Sequence, residues 1–260
     1  MLPILFHIGP LDVPSYGVSL AIGVFLAWMY YLKNYPDETK KDQVANLLLY
    51  SVLAGLVGAR INYILEHVHE IDSSSNFFHM LFSRSGLTVY GGLILGTLTA
   101  IYFAKRWRFP VWQILDTGAP AICIGYFFGR LGCQLAGDGD YGTASSLPWA
   151  MAYPHGSVPT TIRVHPTPLY EMLLYAIIFV ILVQFRKSNP PSGKVFALFL
   201  ILAGLERFAI EFIRLNPVLA FGLTEAQIVS LLVAVAGIFV FLLRRSIQSQ
   251  PGTSAVKASR

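Results

Sequence analysis

The sequence predicts an all-α integral membrane protein with seven transmembrane helices and a small loop domain outside the membrane. Of its 260 residues 55% are hydrophobic and only 13% are charged, whereas a soluble globular domain is about 25% charged. Seven apolar stretches approach the roughly 20 residues that a membrane-spanning helix needs. One soluble core could not bury this much apolar surface, so lipid is the expected solvent.

The seven predicted spans lie near 16–33, 44–65, 85–104, 110–132, 168–186, 193–215 and 223–243. Most contain glycine, which membrane helices use for close packing, and Pro120 predicts a kink in the fourth span. We assign residues 1–245 to one transmembrane domain, with 133–167 as its outside head segment. The polar tail 246–260 is expected to be disordered.

Lysine and arginine alternate between the two sides of this predicted topology. Thirteen of the 19 basic residues lie in the loops 33–43, 105–108 and 186–194 and in the C-terminal tail, and the opposite loops hold only Arg163. The positive-inside rule then places the N-terminus outside and the C-terminus inside the membrane. The net charge of +5 therefore indicates a membrane surface rather than a nucleic-acid partner.

Several ionisable residues inside the spans fall at one depth. Such residues are costly in lipid, which makes each a candidate functional residue. At about 1.5 Å per residue, Arg60, Arg130 and Arg207 lie about 24, 30 and 21 Å from the inner ends of their spans. Glu211 and Arg214 follow Arg207 at i+4 and i+7, which predicts that the three share one helical face.

Further polar side chains enter from the outer ends of their spans, namely Tyr16, Tyr90, Tyr170 and Glu171. Five or six helices thus deliver Arg, Glu and Tyr to the outer half of the bilayer. Arginine forks suit phosphate oxygens, so one interpretation is a site for an anionic lipid headgroup. The alternative is an interhelical ion-pair network together with arginines that extend to the interface.

The head segment contains the glycine-rich run LAGDGDYG. Gly137, Gly139 and Gly142 permit positive φ angles and tight turns. Asp138 and Asp140 lie among them and could transfer protons or simply cap turns. Two carboxylates are too few to indicate a cation site, so no metal is expected.

The two cysteines indicate neither a disulfide nor a metal centre. Cys123 and Cys133 lie in or at the end of one predicted span, and a shared helix keeps their side chains from meeting. No cysteine or histidine pair has metal-ligand spacing.

Six segments together resemble one known family, in the same order along the chain. They are IGPLDVPSYG (8–17), GARINYILEH (58–67), SGLTVYGGLILG (85–96), GRLGCQLAGDGDYG (129–142), HPTPLYE (165–171) and ERFAIEFIRLNP (206–217). The family is that of the prolipoprotein diacylglyceryl transferases. The resemblance implies transfer of the diacylglyceryl group of phosphatidylglycerol to the lipobox cysteine of a prolipoprotein, with release of glycerol 1-phosphate. It implies no cofactor, and we expect a monomer.

The resemblance also implies roles for individual residues. It makes Arg130 and Arg207 ligands of the headgroup or leaving phosphate, and Glu211 their orienting partner. Tyr16 stands where the family has a functionally important tyrosine. We predict catalytic roles for Arg130, Arg207, Tyr90 and Asp138. The predicted substrate-binding residues are Tyr16, Arg60, Glu211, Arg214, Tyr170, Glu171 and Gly142.

This sequence departs from the family pattern at a few positions. Cys133 replaces the asparagine after Gly-Arg-x-Gly, and Ala136 and Asp138 stand where a second asparagine and a glutamate follow. Tyr90 replaces a histidine that many members offer as a base, and a tyrosine of pKa about 10 is a poor base at neutral pH. Two other hypotheses therefore remain. Asp138 or Asp140 could activate a different acceptor, or the protein could bind or move anionic lipid without chemistry.

Overall fold

The computed structural model describes residues 1–9, 11–68 and 89–246, and this part of the chain is mostly helical. The described residues form seven α-helices, with a short 3-10 turn before the second. They are α1 Ser15–Asn34, α2 Lys41–Glu66, α3 Val89–Arg106, α4 Val111–Ala136, α5 Thr167–Lys187, α6 Lys194–Glu211 and α7 Glu225–Ser246. The start of the third predicted span and nearly all of the predicted disordered tail lie outside the described residues.

Among the described residues, three antiparallel hairpins that the sequence did not predict precede odd-numbered helices. They pair β1 Ile4–Ile8 with β2 Leu11–Pro14, β3 Met151–Tyr153 with β4 Thr160–Val164, and β5 Val218–Ala220 with β6 Leu223–Thr224. They lead into α1, α5 and α7 respectively. Strands of two to five residues are too short for an alternating pattern to stand out in sequence.

The protein is a helical membrane protein. Within the part of the chain that the structure describes, four helical segments are long and apolar enough to cross a bilayer: Ser15–Asn34, Glu38–Glu66, Thr167–Lys187 and Glu225–Arg244. Their outward side chains are large and apolar, among them Phe25, Leu173 and Leu232. Helices satisfy their own backbone hydrogen bonds, which permits this surface in lipid.

The described chain divides into two compact units, Leu32–Ile114 and the remainder. In the first, α2 packs on α3 through facing glycines. A Cβ added at Gly55 would lie 3.3 Å from the carbonyl oxygen of Gly92, and one at Gly96 would lie 3.1 Å from that of Ser51. Small residues thus allow these two backbones to approach closely.

The second unit consists of Met1–Tyr31 and the described residues from Leu115 onward. Its apolar core joins three helices: Ala119 and Cys123 from α4, Tyr175, Ile178 and Leu182 from α5, and Val195 and Phe199 from α6. Both cysteines lie on α4 as free thiols, which confirms that they share a helix.

Asp116 on α4 caps the first turn of α6. Its two carboxylate oxygens accept hydrogen bonds from the backbone N–H groups of Gly193 (2.6 Å) and Phe196 (2.8 Å). The carboxylate also complements the positive end of the helix dipole. Asp116 therefore fixes the N-terminal end of the helix that carries Arg207.

We expect Asp116→Ala to lower the free energy of unfolding by about 1–2 kcal/mol, because it removes a helix cap. Thermal unfolding in detergent measures this. The matched control is Asp42→Ala, which changes an exposed acidic residue in the first turn of α2. Equal melting temperatures for the two variants would contradict the capping role.

Candidate active site

Three arginines converge on one buried glutamate near the C-terminal ends of α4 and α6 and the N-terminal end of α5. Glu171 has 0% of its side chain exposed, and its carboxylate pairs with the Nε of Arg130. Its other oxygen lies 3.4 Å from Nη1 of Arg207 and 3.8 Å from Nη1 of Arg214. A single carboxylate thus faces three guanidiniums.

Two further carboxylates close the network. Glu211 lies 2.7 Å from Nη2 of Arg207 and 3.9 Å from Nε of Arg214. Asp140 pairs with Nη1 of Arg130 and lies 2.6 Å from Nη2 of Arg214. We call these six residues the arginine cluster: Arg130, Arg207, Arg214, Asp140, Glu171 and Glu211.

The arginine cluster is balanced in charge yet retains free donor capacity. Three cations face three anions, which offsets the cost of holding charges at this depth. Each guanidinium has five N–H donors, and the side chains of Arg130 and Arg207 remain 16% and 25% exposed. The cluster can therefore accept one additional anionic group, such as a phosphate.

Glu211 is held in place by the start of α7. Its Oε1 accepts hydrogen bonds from Asn216 Nδ2 (2.6 Å) and Thr224 Oγ1 (2.9 Å). Thr224 and Gln227 in turn exchange hydrogen bonds between side chain and backbone as a capping box. The orientation of Arg207 thus depends on the loop between α6 and α7.

The predicted shared face is correct for Arg207 and Glu211 and wrong for Arg214. Helix α6 ends at Glu211, and Arg214 lies beyond it in a backbone bridge to Gly142. This bridge and the pairing of Arg214 with Asp140 hold Arg214 against the head segment, so the helix does not continue through it.

The glycines of the head segment have two different functions. Gly137 and Gly139 adopt positive φ angles of 59° and 95°, as predicted. Gly142 does not adopt a positive φ angle. A Cβ added at Gly142 would collide with the backbone oxygen of Ile213, so Gly142 allows close packing against the loop that carries Arg214.

Asp140, rather than the predicted Asp138, joins the arginines. Asp138 lies beside the cluster and accepts the backbone N–H of Asp140 at 3.3 Å. Cys133, Asp138 and Asp140 offer ligand-type atoms within 4.8 Å of one another. However, both Asp140 oxygens face guanidiniums, and these two positive charges would repel a cation. The residues fit a metal ion poorly.

The guanidiniums also determine the protonation of Asp140. Burial alone would raise the pKa of this carboxyl, but Arg130 and Arg214 outweigh that effect and hold its pKa below the usual value. A lowered folded-state pKa contributes stability that is complete above the unfolded value of about 4 and is lost as the pH falls through the folded value.

We therefore expect Asp140→Asn to lower the melting temperature at neutral pH, by the equivalent of about 1–3 kcal/mol. The gap to wild type should shrink as the pH falls below about 4, because wild type then loses the same ion pairs. Melting temperatures in detergent across this pH range, with exposed Asp42→Asn as control, test the prediction. A gap independent of pH would contradict it.

Two predicted tyrosines lie at the edge of the site. Tyr16 begins α1 and packs on α4, where a Cβ at Gly132 would lie 3.0 Å from Tyr16 Cδ2. Tyr170 contacts the head segment, because its hydroxyl accepts a hydrogen bond from Trp149 Nε1 at 2.8 Å. It also lies 3.3 Å from His165 Nδ1.

Arg60 and Tyr90 belong to the other unit. Arg60 lies on α2 with its guanidinium carbon 5.9 Å from the ring centre of Tyr63. Tyr90 lies in the first turn of α3, and its side chain is outside the described part of the structure. The roles predicted for both residues remain predictions.

Sequence reasoning missed two residues near the arginines. The Tyr126 hydroxyl accepts a hydrogen bond from Arg130 Nη2 at 3.0 Å, and its ring stacks on Tyr175 with centroids 3.8 Å apart. The i, i+4 spacing of Tyr126 and Arg130 was the available signal. Glu206 is 6% exposed with no hydrogen bond to either carboxylate oxygen. The available signal was its ionisable side chain inside a predicted span, which is costly in lipid.

The fold and site define a class: a helical membrane protein with a cluster of guanidiniums and carboxylates near the ends of its helices. A family model described as prolipoprotein diacylglyceryl transferase matches residues 3–243. The chain belongs to this family, which confirms the predicted resemblance.

Curated relatives extend along nearly the whole chain. A protein of Methylococcus capsulatus is 36% identical over 253 residues, covering 91% of this chain and 92% of its own. One of Methylobacillus flagellatus is 32% identical over 255 residues, covering 93% and 95%. One of Clostridium tetani is 28% identical over 248 residues, covering 94% and 98%. Each is named phosphatidylglycerol–prolipoprotein diacylglyceryl transferase.

Proposed function

We propose that the protein transfers the diacylglyceryl group of phosphatidylglycerol to the lipobox cysteine thiol of prolipoproteins and releases glycerol 1-phosphate. The observation that carries this proposal is the arginine cluster, in which three guanidiniums from α4, α6 and the loop after α6 surround one buried carboxylate. Family membership and the names of the relatives support the same activity.

The cluster suits the charge change of this reaction. The cysteine sulfur attacks the carbon of the diacylglyceryl group that is bonded to the phosphate oxygen. A carbon–sulfur bond forms there as the carbon–oxygen bond breaks, and the phosphate leaves with the headgroup glycerol. The negative charge that develops on the leaving phosphate is stabilised by Arg130 and Arg207, which are fixed in advance by Glu171 and Glu211. Fixed donors need no reorganisation as the charge develops.

The thiol proton needs an acceptor, and Asp138 is the better of the two head aspartates. Asp140 is a poor base because its pKa is lowered by two arginines. Among the described contacts, Asp138 forms no ion pair with an arginine. Its carboxylate lies within 4.8 Å of the Cys133 sulfur, and both groups are close enough to Tyr16 to interact with it electrostatically. The catalytic role predicted for Tyr90 is a different one, because a tyrosine of pKa about 10 would donate a hydrogen bond rather than accept this proton.

We further propose seven spans with the N-terminus outside and the C-terminus inside the bacterial inner membrane, in a monomeric enzyme. The seven described helices, the alternation of Lys and Arg between loops, and the hairpins before α1, α5 and α7 support this topology. The head segment 133–167 and the arginine cluster then face the outer leaflet, where a secreted prolipoprotein presents its cysteine. The tail 246–260 would lie in the cytoplasm.

The direct test combines purified protein, phosphatidylglycerol and a lipobox cysteine peptide. We expect the peptide to gain the mass of one diacylglyceryl group as glycerol phosphate is released. Glycerol phosphate released without peptide modification would indicate a different acceptor or hydrolysis. Lipid binding with neither product would contradict the transferase and favour a binding or transport role.

A further inference from the structure

We propose that a groove between α4 and α5 binds one acyl chain of the anionic phospholipid donor; this inference rests on the proposed function. The groove encloses about 220 Å³ and is lined by apolar and aromatic side chains. Those used below are Cys123, Phe127, Tyr175, Ala176, Phe179 and Val180. None of them belongs to the arginine cluster.

The groove lies at the depth that an acyl chain would occupy. Val180 follows Glu171 by nine residues on α5, which corresponds to about 13 Å along the helix. Cys123 precedes Arg130 by seven residues on α4, or about 10 Å in the same direction. One leaflet of the hydrocarbon core is about 15 Å thick. A lipid whose phosphate contacts the cluster would thus extend its chain along this groove.

The groove is continuous with the arginine cluster. Tyr175 lines it and stacks on Tyr126, whose hydroxyl accepts a hydrogen bond from Arg130. These two aromatic rings lie between the arginine cluster and the apolar groove, and Tyr126 is one helical turn from Arg130. The headgroup site and the groove therefore share a wall, as two parts of one lipid site would.

The energetics make the groove a determinant of specificity rather than of affinity. A chain that moves from the bilayer into the groove exchanges one apolar environment for another, so hydrophobic burial contributes little. Van der Waals packing against Phe127 and Phe179 remains, and it is sensitive to the shape and length of the chain. We therefore expect the groove to select among donor chains.

The test narrows the groove at its middle. In Ala176→Phe a ring replaces a methyl group on the groove wall, and the matched control Leu173→Phe changes a side chain on the same helix that is 63% exposed and does not line the groove. Transfer to the lipobox peptide is measured in detergent with short-chain and long-chain phosphatidylglycerol. We expect Ala176→Phe to reduce kcat/KM for the long-chain donor about 10-fold relative to the short-chain donor, a difference that about one or two lost methylene contacts can produce.

Leu173→Phe should leave the ratio between the two donors unchanged. An unchanged ratio in Ala176→Phe would overturn the inference, while normal wild-type transfer in the same assay would leave the proposed function intact. Conversely, if the wild-type protein transferred nothing, the proposed function would fail. The proposal that the groove binds an acyl chain would then be tested by the lipid-binding measurement alone.

Binding is measured with a tryptophan placed in the groove. Fluorescence of Phe179→Trp, corrected for the four native tryptophans with the unsubstituted protein, is quenched by lipids with brominated acyl chains in nanodiscs. We expect stronger quenching by brominated phosphatidylglycerol than by brominated phosphatidylcholine, and loss of this preference in Arg130→Ala. Equal quenching by both lipids would mean that the tryptophan contacts only the surrounding bilayer lipid, and this result would overturn the inference.

Discussion

Arg130→Lys is expected to reduce kcat/KM for diacylglyceryl transfer by about 10³-fold, nearly as much as Arg130→Ala. The reason is that Arg130 uses all three of its nitrogens in different directions. Its Nε pairs with Glu171, Nη1 with Asp140, and Nη2 donates to Tyr126. A lysine ammonium keeps the charge but cannot hold a planar fork between three partners.

The matched control is Arg108→Lys, the same exchange at an exposed position in the loop after α3, where transfer should be unchanged. Transfer is followed by peptide mass and normalised to the amount of folded protein. If Arg130→Lys kept more than a tenth of wild-type kcat/KM, charge alone would suffice and the geometric role of Arg130 would be wrong.

The helices could be predicted from sequence because lipid imposes a minimum length on each apolar run. Predicted spans 16–33 and 44–65 correspond to Ser15–Asn34 and Lys41–Glu66. The sixth span was predicted to end four residues too late, at 215 instead of Glu211. Residues 212–215 include three apolar side chains and look like a continued span, whereas the pairing of Arg214 with Asp140 in the distant head segment ends the helix earlier.

That Arg130 and Arg207 lie near each other could be predicted, but their partners could not. Counting residues along each helix placed the two arginines within about 9 Å of the same level, since the rise per residue is constant, and both face Glu171. Which carboxylate each arginine meets depends on the rotation of neighbouring helices about their axes, which a linear pattern does not contain. The choice of Asp140 over Asp138 similarly depends on the left-handed backbone at Gly139.

Two buried glutamates allow the contribution of the ion pairs to stability to be distinguished from the effect of burial alone. Glu171 on α5 is fully buried against three guanidiniums. Glu206 on α6 is nearly as buried but accepts no hydrogen bond. Burial without a partner favours the uncharged acid, so an amide of similar shape replaces Glu206 at little cost.

Glu171→Gln is therefore expected to lower the free energy of unfolding by about 3–5 kcal/mol, because it leaves Arg130, Arg207 and Arg214 facing one another with one counter-charge removed. Glu206→Gln should change it by less than about 1 kcal/mol. Thermal unfolding of both variants in the same detergent measures the difference. If the two variants unfolded at the same temperature, the three guanidiniums would not depend on Glu171 for their placement. Asp140 and Glu211 would then be the carboxylates that hold the proposed phosphate site in place.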